Sequence, residues 1–441
     1  MRRLVVILLL IGIQPWALAQ SGFEFEAKKN KITIPFRLIN NLIFVPVKVN
    51  GVELNFLLDS GVEETILLSL EDKAEVRFNN VQKIKLKGLG DNEAIEGLRS
   101  SKNILSFDGL TDRNHEVYIV LDQDFNFSSH VGIPVNGIIG YHFFKNHMVE
   151  INYSKKKIIV YKDDKALKPK TRNRFDSFPI SIERNKPYIT AQATFSLQDI
   201  DAKLLVDLGN SDAVWIFDKP ERNVRMPEPN FEDYLGRGFS GDINGRRAKI
   251  TSFSINGFEF LSPIVSFPDS LSIKSVSMVP NRLGSVGGEI LKRFNLIFDY
   301  PNQKLYLQKS SHFGEPFTYN KSGIELQNEG MQWVQETVKL NTVHQVIGFD
   351  NTGERTDNQF KYKFSLKPVY TIASVRKNSP AQMSGLQAGD TVLSINGRET
   401  YLYSLQKINE LLRAEEGKII YISVEREGKP LKFSFELKDI L

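Results

Sequence analysis

The chain of 441 residues contains no cysteine. Without thiols there is no disulfide bond, no lipid-bearing lipoprotein cysteine and no cysteine nucleophile. Two further catalytic patterns are missing, because none of the six histidines lies in an H-E-x-x-H motif and no G-x-S-x-G motif occurs. Zinc chemistry and serine or cysteine nucleophiles of these types therefore have no support.

Long apolar runs are missing after the first 20 residues. The start, MRRLVVILLLIGIQPWALAQ, has a basic pair, an apolar run and a small-residue Ala-Leu-Ala site, which predicts a signal peptide over residues 1–19. No later run approaches the ~20 apolar residues that a membrane-spanning helix needs. We therefore expect no membrane span and a periplasmic or secreted protein.

Strong charge of one sign is also missing. The formal net charge is +5, and removal of Arg2 and Arg3 with the signal peptide lowers it to +3. Such a mild excess gives no argument for a nucleic-acid partner, which needs a marked basic patch. We expect no nucleic acid among the partners.

One short stretch of the sequence occurs twice. Residues 54–67, LNFLLDSGVEETIL, match residues 202–215, AKLLVDLGNSDAVW, and Asp59 aligns with Asp207 at an offset of 148 residues. In both copies an apolar strand ends on the aspartate and a tight turn with glycine follows. A carboxylate at the end of a buried strand is costly to desolvate unless a neighbouring group compensates it.

A second pair of matching stretches gives nearly the same offset. Residues 143–161 match residues 290–308 at 147 residues, so the chain contains a duplicated unit. Each copy consists of short alternating strands and glycine-bearing turns, which predicts one β-barrel lobe per copy. We place the lobes at residues 20–165 and 171–310, with a polar linker between them.

Two lobes of this kind usually pack about a pseudo-two-fold axis, which would bring Asp59 and Asp207 together. Two carboxyl groups in contact cannot both ionise easily and share one proton. One can then accept a proton from water while the other polarises a carbonyl oxygen. The pair predicts hydrolysis of an amide without a metal, a cofactor or a covalent intermediate.

The stretch LLDSGVEET resembles the catalytic turn of retropepsins, and Ile138-Ile139-Gly140 resembles the apolar-apolar-Gly triplet that packs behind that turn. Residues 30–310 are similar to a fused pair of such lobes, as in bacterial retropepsin-like aspartyl proteases with a C-terminal PDZ domain. The resemblance implies a mainly β fold with two tandem acid-protease barrel lobes. It also implies an aspartic-type endopeptidase that acts on a peptide or protein substrate.

The resemblance implies roles for the residues that match its motifs. Asp59 and Asp207 match the catalytic aspartates. Gly61 and Gly209 match the glycines that let each turn approach the substrate.

Hairpins around residues 84–97 and 233–246 take the place of the flaps that cover the substrate. The residues expected to bind substrate are Glu63, Glu64, Ser211, Asp212, Gly88, Gly90 and Gly238. For the four polar residues among them, an ordinary exposed position after a turn is the alternative.

Two positions depart from the family pattern. The residue after each aspartate is usually Thr or Ser, whose hydroxyl bonds to the opposite loop; Ser60 keeps this hydroxyl and Leu208 lacks it. One missing hydrogen bond costs about 0.5–1.5 kcal/mol. Ser285 stands where the second triplet should be apolar. The alternative function is a catalytically impaired pseudoprotease that binds peptides outside the cytoplasm.

The last part of the chain, residues 322–441, resembles a PDZ domain. It has a strand, the turn NSPAQMSGLQAGD, a short strand into Asn396-Gly397, an amphipathic helix and two closing strands. The helix places Leu405, Ile408, Leu411 and Leu412 at helical spacing, as expected for core residues.

PDZ domains bind an extended segment at a sheet edge, and their backbone amides receive a terminal carboxylate. The glycine-rich loop expected before Tyr370 is replaced by FSLKPVY. A peptide ligand with a free C-terminus, an internal segment, and docking to the two lobes therefore all stay open.

Overall fold

The computed structural model describes the chain apart from residues 1–21, 27, 69, 71–74, 87–94, 122–126, 197, 239–240, 274–277, 340–347, 350–354 and 357–359. The expected signal peptide lies outside the described residues, and so do Gly88 and Gly90 of the first hairpin. Within the part that is described, no helix is both long enough and apolar enough to cross a membrane.

The first lobe is built almost entirely of strands. Its elements are β1 (Glu24–Phe25), β2 (Lys31–Pro35), β3 (Arg37–Ile39), β4 (Leu42–Val49), β5 (Val52–Leu58), β6 (Thr65–Leu67), β7 (Gln82–Leu86), β8 (Ile95–Phe107), β9 (Leu110–Val120), α1 (Phe127–Val131), β10 (Gly137–Ile139), α2 (Tyr141–Phe144), β11 (Met148–Asn152) and β12 (Lys157–Tyr161). A 3₁₀ turn at Tyr153–Lys155 joins the last two strands.

The turn before Asp59 follows directly from its sequence. Asn50 and Gly51, with φ of +48° and +92°, join β4 to β5 in the left-handed conformation that a two-residue hairpin turn requires. The sheet order is β1-β9-β6-β10-β5-β4-β8-β7, with β3 beside β4. Strand β10 lies parallel to β5 and antiparallel to β6, so it runs behind the turn that connects them.

A short linker with a 3₁₀ turn at Asp164–Ala166 and helix α3 (Pro169–Arg172) leads to the second lobe. Its elements are β13 (Asp176–Pro179), β14 (Ser181–Glu183), β15 (Lys186–Phe195), β16 (Gln198–Val206), β17 (Val214–Ile216), a 3₁₀ turn (Pro220–Arg222), β18 (Asn230–Gly238), β19 (Gly241–Lys249), β20 (Ser252–Ile255), β21 (Phe258–Leu261), β22 (Ile264–Pro268), α4 (Ser270–Ile273), β23 (Arg282–Val286), α5 (Gly288–Leu291), β24 (Phe294–Asp299) and β25 (Lys304–Lys309).

The second lobe repeats the arrangement of the first around its own aspartate. Its sheet order is β18-β19-β22-β17-β23-β16-β15-β20-β21, with β14 beside β15. Strand β23 is parallel to β16 and antiparallel to β17, as β10 is to β5 and β6. The duplicated sequence therefore folds into duplicated strand pairing.

A further sheet joins the lobes, in the order β13-β25-β24-β11-β12-β2. Its centre is the antiparallel pair β11 and β24, in which Glu150 faces Ile297. Strand β24 is buried along its whole length, and one hydrophobic core continues from the first lobe into the second. The sequence predicts two barrels and does not reveal that the last strands of both copies form a common sheet.

The C-terminal domain has its own core. Its elements are β26 (Ile324–Lys339), β27 (Gly348–Phe349), β28 (Arg355–Thr356), β29 (Phe360–Val375), α6 (Pro380–Ser384), β30 (Thr391–Ile395), β31 (Arg398–Glu399), a 3₁₀ turn (Thr400–Leu402), α7 (Leu405–Leu412), β32 (Ile419–Arg426) and β33 (Lys429–Glu436). The main sheet has the order β26-β29-β30-β32-β33, with β31 beside β30. Leu405, Ile408 and Leu412 are buried in this core, and Leu411 packs against it.

Candidate active site

Asp59 and Asp207 occupy equivalent places, each directly after a buried strand. The N–H of Asp59 donates to the Ile139 carbonyl of β10 at 2.9 Å, and the N–H of Asp207 donates to the Val286 carbonyl of β23 at 2.9 Å. The parallel strand behind each turn thus fixes the backbone of the aspartate.

The glycine that closes each triplet is required by close backbone approach. A Cβ added at Gly140 would lie 2.1 Å from the Val62 carbonyl oxygen, and one at Gly287 would lie 2.4 Å from the Asp212 carbonyl oxygen. Real Cβ atoms do not approach a backbone oxygen so closely. The apolar-apolar-Gly pattern therefore indicates that the aspartate turn packs directly against the end of the strand behind it, β10 in the first lobe and β23 in the second.

The two aspartates meet across the lobes. The Gly61 N–H donates to Asp59 Oδ1 at 2.7 Å, and the Gly209 N–H donates to Asp207 Oδ1 at 3.1 Å. The carboxyl groups of Asp59 and Asp207 share a side-chain hydrogen bond. Each turn glycine also lies beside the opposite carboxyl group: a Cβ on Gly61 would be 2.9 Å from Asp207 Oδ1, and one on Gly209 would be 2.2 Å from Asp59 Oδ2.

Both aspartates hold a proton more strongly than a free carboxyl group does. Burial, followed by the charge of Asp207, raises the pKa of Asp59 to about 8. Burial also raises the pKa of Asp207, although the charges of Arg282 and Lys186 partly oppose this rise. Two carboxyl groups in contact titrate as one unit with a shared proton. Such a pair can supply one acid and one base when it holds a single proton.

The hydroxyl of Ser60 connects the two turns. Ser60 Oγ donates to the Val206 carbonyl at 2.6 Å and accepts a hydrogen bond from the Leu208 N–H at 3.1 Å. Leu208, at the equivalent position of the second copy, is 1% exposed and belongs to the core that both lobes share. One hydroxyl therefore bridges the loops, and the opposite position is filled by an apolar side chain.

The second departure, Ser285, has a partner that the first copy lacks. Asn210 Nδ2 donates to Ser285 Oγ at 3.1 Å, and Asn210 Oδ1 accepts from the Asp212 N–H at 2.9 Å. Both side chains are buried. In the first copy the equivalent positions are the apolar Val62 and Ile138, which pack in one cluster. The second copy has thus replaced an apolar contact by a hydrogen-bonded one.

Asp212 is held by a network that sequence reasoning missed. Its carboxylate accepts hydrogen bonds from Arg247 Nη1, Ser266 Oγ and Trp215 Nε1, each at 2.8 Å. Arg247, on β19, also donates from Nε to Asp233 Oδ2 of β18 at 2.6 Å. The basic pair in GDINGRRAK was the available signal, but nothing in the sequence connects it to a residue 35 positions earlier.

The other residues expected to contact substrate lie around the same two turns. Glu63 accepts a hydrogen bond from Asn185 Nδ2 of the second lobe at 2.6 Å, and the Ser211 carbonyl accepts one from Asn41 Nδ2 of the first lobe at 2.8 Å. Glu64 is half-buried in the first turn. Gly238 ends β18 and pairs with Gly241 at the tip of the hairpin. Their expected contacts with substrate stay predictions.

Metal ligation is a separate question, since acidic side chains are common here. Among the residues that the structure describes, no group of three or more His, Asp or Glu side chains is arranged to hold a metal ion.

Comparisons with known proteins agree with the two motif sets. Residues 45–143 match the aspartyl protease family, and residues 371–426 match the PDZ domain family. A search of curated proteins gave no match. Among solved structures the chain is similar to the aspartic proteinase from Irpex lacteus, with 13% identity and a TM-score of 0.43 over 65% of this chain and 99% of that chain.

The first match contains Asp59 and Gly140 and ends before the second copy begins. The mainly β fold and the two kinds of domain that the resemblance implied are confirmed. The chain thus contains a segment that matches the aspartyl protease family, followed towards its C-terminus by a segment that matches the PDZ domain family.

Proposed function

We propose that this protein is an aspartic endopeptidase in which Asp59 and Asp207 activate a water molecule. The observation that carries the proposal is the hydrogen-bonded carboxyl pair between two Asp-x-Gly turns, with both pKa values raised. An isolated surface aspartate has neither a shared proton nor a reason to be buried. We also propose that the protein acts outside the cytoplasm, as the sequence at its start predicts.

The chemistry follows from the shared proton. The ionised member of the pair accepts a proton from water as the water oxygen attacks the carbonyl carbon of the peptide bond. The protonated member donates its proton to the carbonyl oxygen, which gives a neutral tetrahedral diol. The member that is now protonated then gives its proton to the amide nitrogen while the other accepts a proton from a diol hydroxyl, so that the C–N bond breaks and the pair returns to its starting state.

The backbone around the pair supports this role. The N–H groups of Gly61 and Gly209 each donate to the aspartate of their own turn, which holds the two carboxyl groups in one orientation. Ser60 ties the turns to each other across the lobes. Acid–base catalysis depends on such fixed placement, because proton transfer needs hydrogen-bond distance.

The test is cleavage of a mixed peptide library from mildly acidic to neutral pH, with and without a transition-state-type aspartic protease inhibitor. We expect cleavage that the inhibitor blocks and that Asp59→Asn abolishes. Asp108→Asn is the matched control, because the Asp108 side chain is fully exposed at a turn of the same lobe. Peptide binding without cleavage in the parent, unchanged by Asp59→Asn, would instead support the peptide-binding pseudoprotease.

A further inference from the structure

At the β26 edge of its main sheet the PDZ domain has helix α7 nearby, and the first protease lobe lies against the same strand. Strand β26 is the edge of the main sheet, and α7 packs near it. A PDZ domain binds its ligand by adding a strand to such an edge. The stretch FSLKPVY lies inside β29, which pairs with β26 along its length. The loop that enters the edge strand is therefore Asn320–Gly323.

The backbone amides of this loop already have acceptors. The N–H groups of Ser322 and Gly323 both donate to Asn320 Oδ1, at 3.1 and 3.2 Å. The Ile324 N–H donates to Ser322 Oγ at 3.2 Å, and the Lys321 N–H donates to the Leu412 carbonyl of α7 at 3.0 Å. The side-chain oxygen of Asn320 thus takes the amides that a terminal carboxylate would need.

The groove between β26 and α7 is covered by the first lobe. Helix α1 lies against β26, and the residue after it, Gly132, packs on the first residue of α7. A Cβ added at Gly132 would lie 2.7 Å from Leu405 Cβ. We call residues 127–132 the groove segment. An incoming strand would meet this segment before it reached β26.

The second lobe adds a polar contact to the same face. Arg376, directly after the PDZ strand β29, pairs with Asp233 of β18 at 3.4 Å and stacks over the Phe231 ring at 4.3 Å. The Phe231 ring also lies 5.1 Å from that of Tyr319, just before the loop described above. Both side chains of the ion pair are at most 10% exposed. The ion pair is therefore buried, and removal of one partner from a buried ion pair strongly destabilises the structure because the other charge is left uncompensated.

We propose that the PDZ domain binds its own protease lobes: the groove segment and the β18–β19 hairpin are its partner, in place of the C-terminus of a free peptide. Asp233 connects this interface to Arg247 and so to Asp212, five residues after Asp207. The PDZ domain is then held in a fixed position against the two protease lobes. This inference goes beyond the proposed hydrolysis and does not depend on it.

The test measures hydrogen–deuterium exchange and peptide binding in the full chain. Gly132→Asn is the main variant, because Asn tolerates the φ of +78° found there while its Cβ would press on Leu405. Gly51→Asn is the matched control, with φ of +92° and no atom within 4 Å of the added Cβ. Overpacking of this kind destabilises the intact contact, and we expect it to shift the equilibrium between the intact and the opened contact by roughly tenfold or more.

We expect Gly132→Asn to raise amide exchange at least about tenfold in both the groove segment and residues 324–328, and Gly51→Asn to leave both unchanged. Arg376→Gln should raise exchange in the β18–β19 hairpin, whereas Arg398→Gln, on an exposed PDZ strand, should not. This second pair keeps the test decisive if the Asn variant unfolds the first lobe.

Binding is measured in an Asp59→Asn background, so that cleavage cannot consume the probe. The probes are fluorescent peptides in pairs with a free or an amidated C-terminus. We expect no preference for the free carboxylate. Binding that amidation abolishes, or exchange in residues 324–328 that is the same with and without Gly132→Asn, would overturn the proposal. Neither readout uses hydrolysis, so an inactive protein would leave the outcome interpretable.

Discussion

The two copies of the aspartate turn keep the same backbone and differ in how they are held. In the first copy the hydroxyl of Ser60 makes both hydrogen bonds to the opposite loop, while in the second the side chain of Leu208 is buried in the core. Behind the turns, the apolar pair Val62 and Ile138 of the first copy corresponds to the hydrogen-bonded pair Asn210 and Ser285 of the second. The first lobe thus supplies the hydroxyl that links the two loops, and the second lobe has a buried hydrogen bond of its own behind its turn.

Two departures from a sequence motif can thus compensate each other within one lobe. Ser285 alone looks like a defect in an apolar triplet. Beside Asn210 it is half of a buried hydrogen bond. A buried polar group is tolerable when its partner is present and costly when the partner is missing.

The largest effects are expected from the two aspartates, which differ in how their turns are held but should contribute equally to the chemistry. We expect Asp59→Asn and Asp207→Asn each to lower kcat by at least about 10³-fold, because an amide can neither accept the proton of water nor share one. The double variant should be hardly worse than either single one, since the pair acts as a unit. Steady-state cleavage assays and thermal unfolding of the folded variants check this.

If Asp207→Asn left cleavage nearly intact while Asp59→Asn did not, the second copy would be structural. The partner of Asp59 would then come from a second chain, and sedimentation of the parent protein would show a dimer.

The pH dependence of activity tests the shared proton. Because burial and the charge of Asp207 raise the pKa of Asp59 to about 8, the pair keeps its proton through neutral pH and loses it above that value. We expect kcat/KM to fall about tenfold per pH unit above about 8. A profile that stays flat to pH 9.5, or one that already falls at pH 5, would contradict this protonation state.

Removal of the Ser60 hydroxyl tests the polar bridge. Ser60→Ala leaves the Val206 carbonyl and the Leu208 N–H without their partner in a buried site. We expect a loss of about 2–4 kcal/mol in the free energy of unfolding, measured with urea. Ser60→Thr keeps the hydroxyl and is the control. A loss equal to that of Ser60→Ala in the Thr variant would mean that packing, and not the hydrogen bond, matters there.

Leu208→Thr asks whether the second copy could accept the same bridge. We expect it to destabilise the protein, because a hydroxyl would enter an apolar site. Leu208→Val is the matched variant, since valine and threonine have nearly the same shape. We expect the Thr variant to unfold about 1–3 kcal/mol more easily than the Val variant. A Thr variant at least as stable as the Val variant would show that a second cross-loop bond forms.

Ser285→Ala should have the smallest effect, a loss of about 1 kcal/mol in the free energy of unfolding, because it removes the hydroxyl that accepts the hydrogen bond of Asn210 Nδ2. The same change in an Asn210→Ala background should cost clearly less, and the difference between the two is the coupling energy. Equal losses of stability in both backgrounds would show that Ser285 and Asn210 are not energetically coupled. The contrast with the apolar pair Val62 and Ile138 would then be weaker.

Much of the site could be predicted because its residues are neighbours in sequence. The Asp-x-Gly turn is three residues long, the closing triplet is equally short, and the repeat offset joins the two copies. The pairing of Asp59 with Asp207 needed only the assumption of an axis between the copies. Short motifs carry their own geometry, because the backbone around them is fixed locally.

The rest depends on contacts between distant segments. Arg247 looks like any basic residue of a hairpin, and its bond to Asp212 exists only because β19 lies beside β22 and Ser266. The sheet shared by the lobes could not be predicted, since alternation of apolar residues does not say which strand is the partner. The filling of the PDZ loop by Asn320 was hidden because the loop lies far from the stretch where glycines were expected.

The central pair of the shared sheet, Glu150 opposite Ile297, has a consequence for how such a chain can evolve. These residues are counterparts under the 147-residue offset, so the position on the axis faces its own copy. In an assembly of two identical subunits a glutamate there would face another glutamate, which is unfavourable across a sheet. Here Glu150 accepts a hydrogen bond from the Tyr161 hydroxyl at 2.6 Å, and Ile297 is fully buried. When one gene encodes both halves, a substitution can change one of the two positions related by the axis without changing the other. The different residues at positions 150 and 297 are the result expected of such independent substitution.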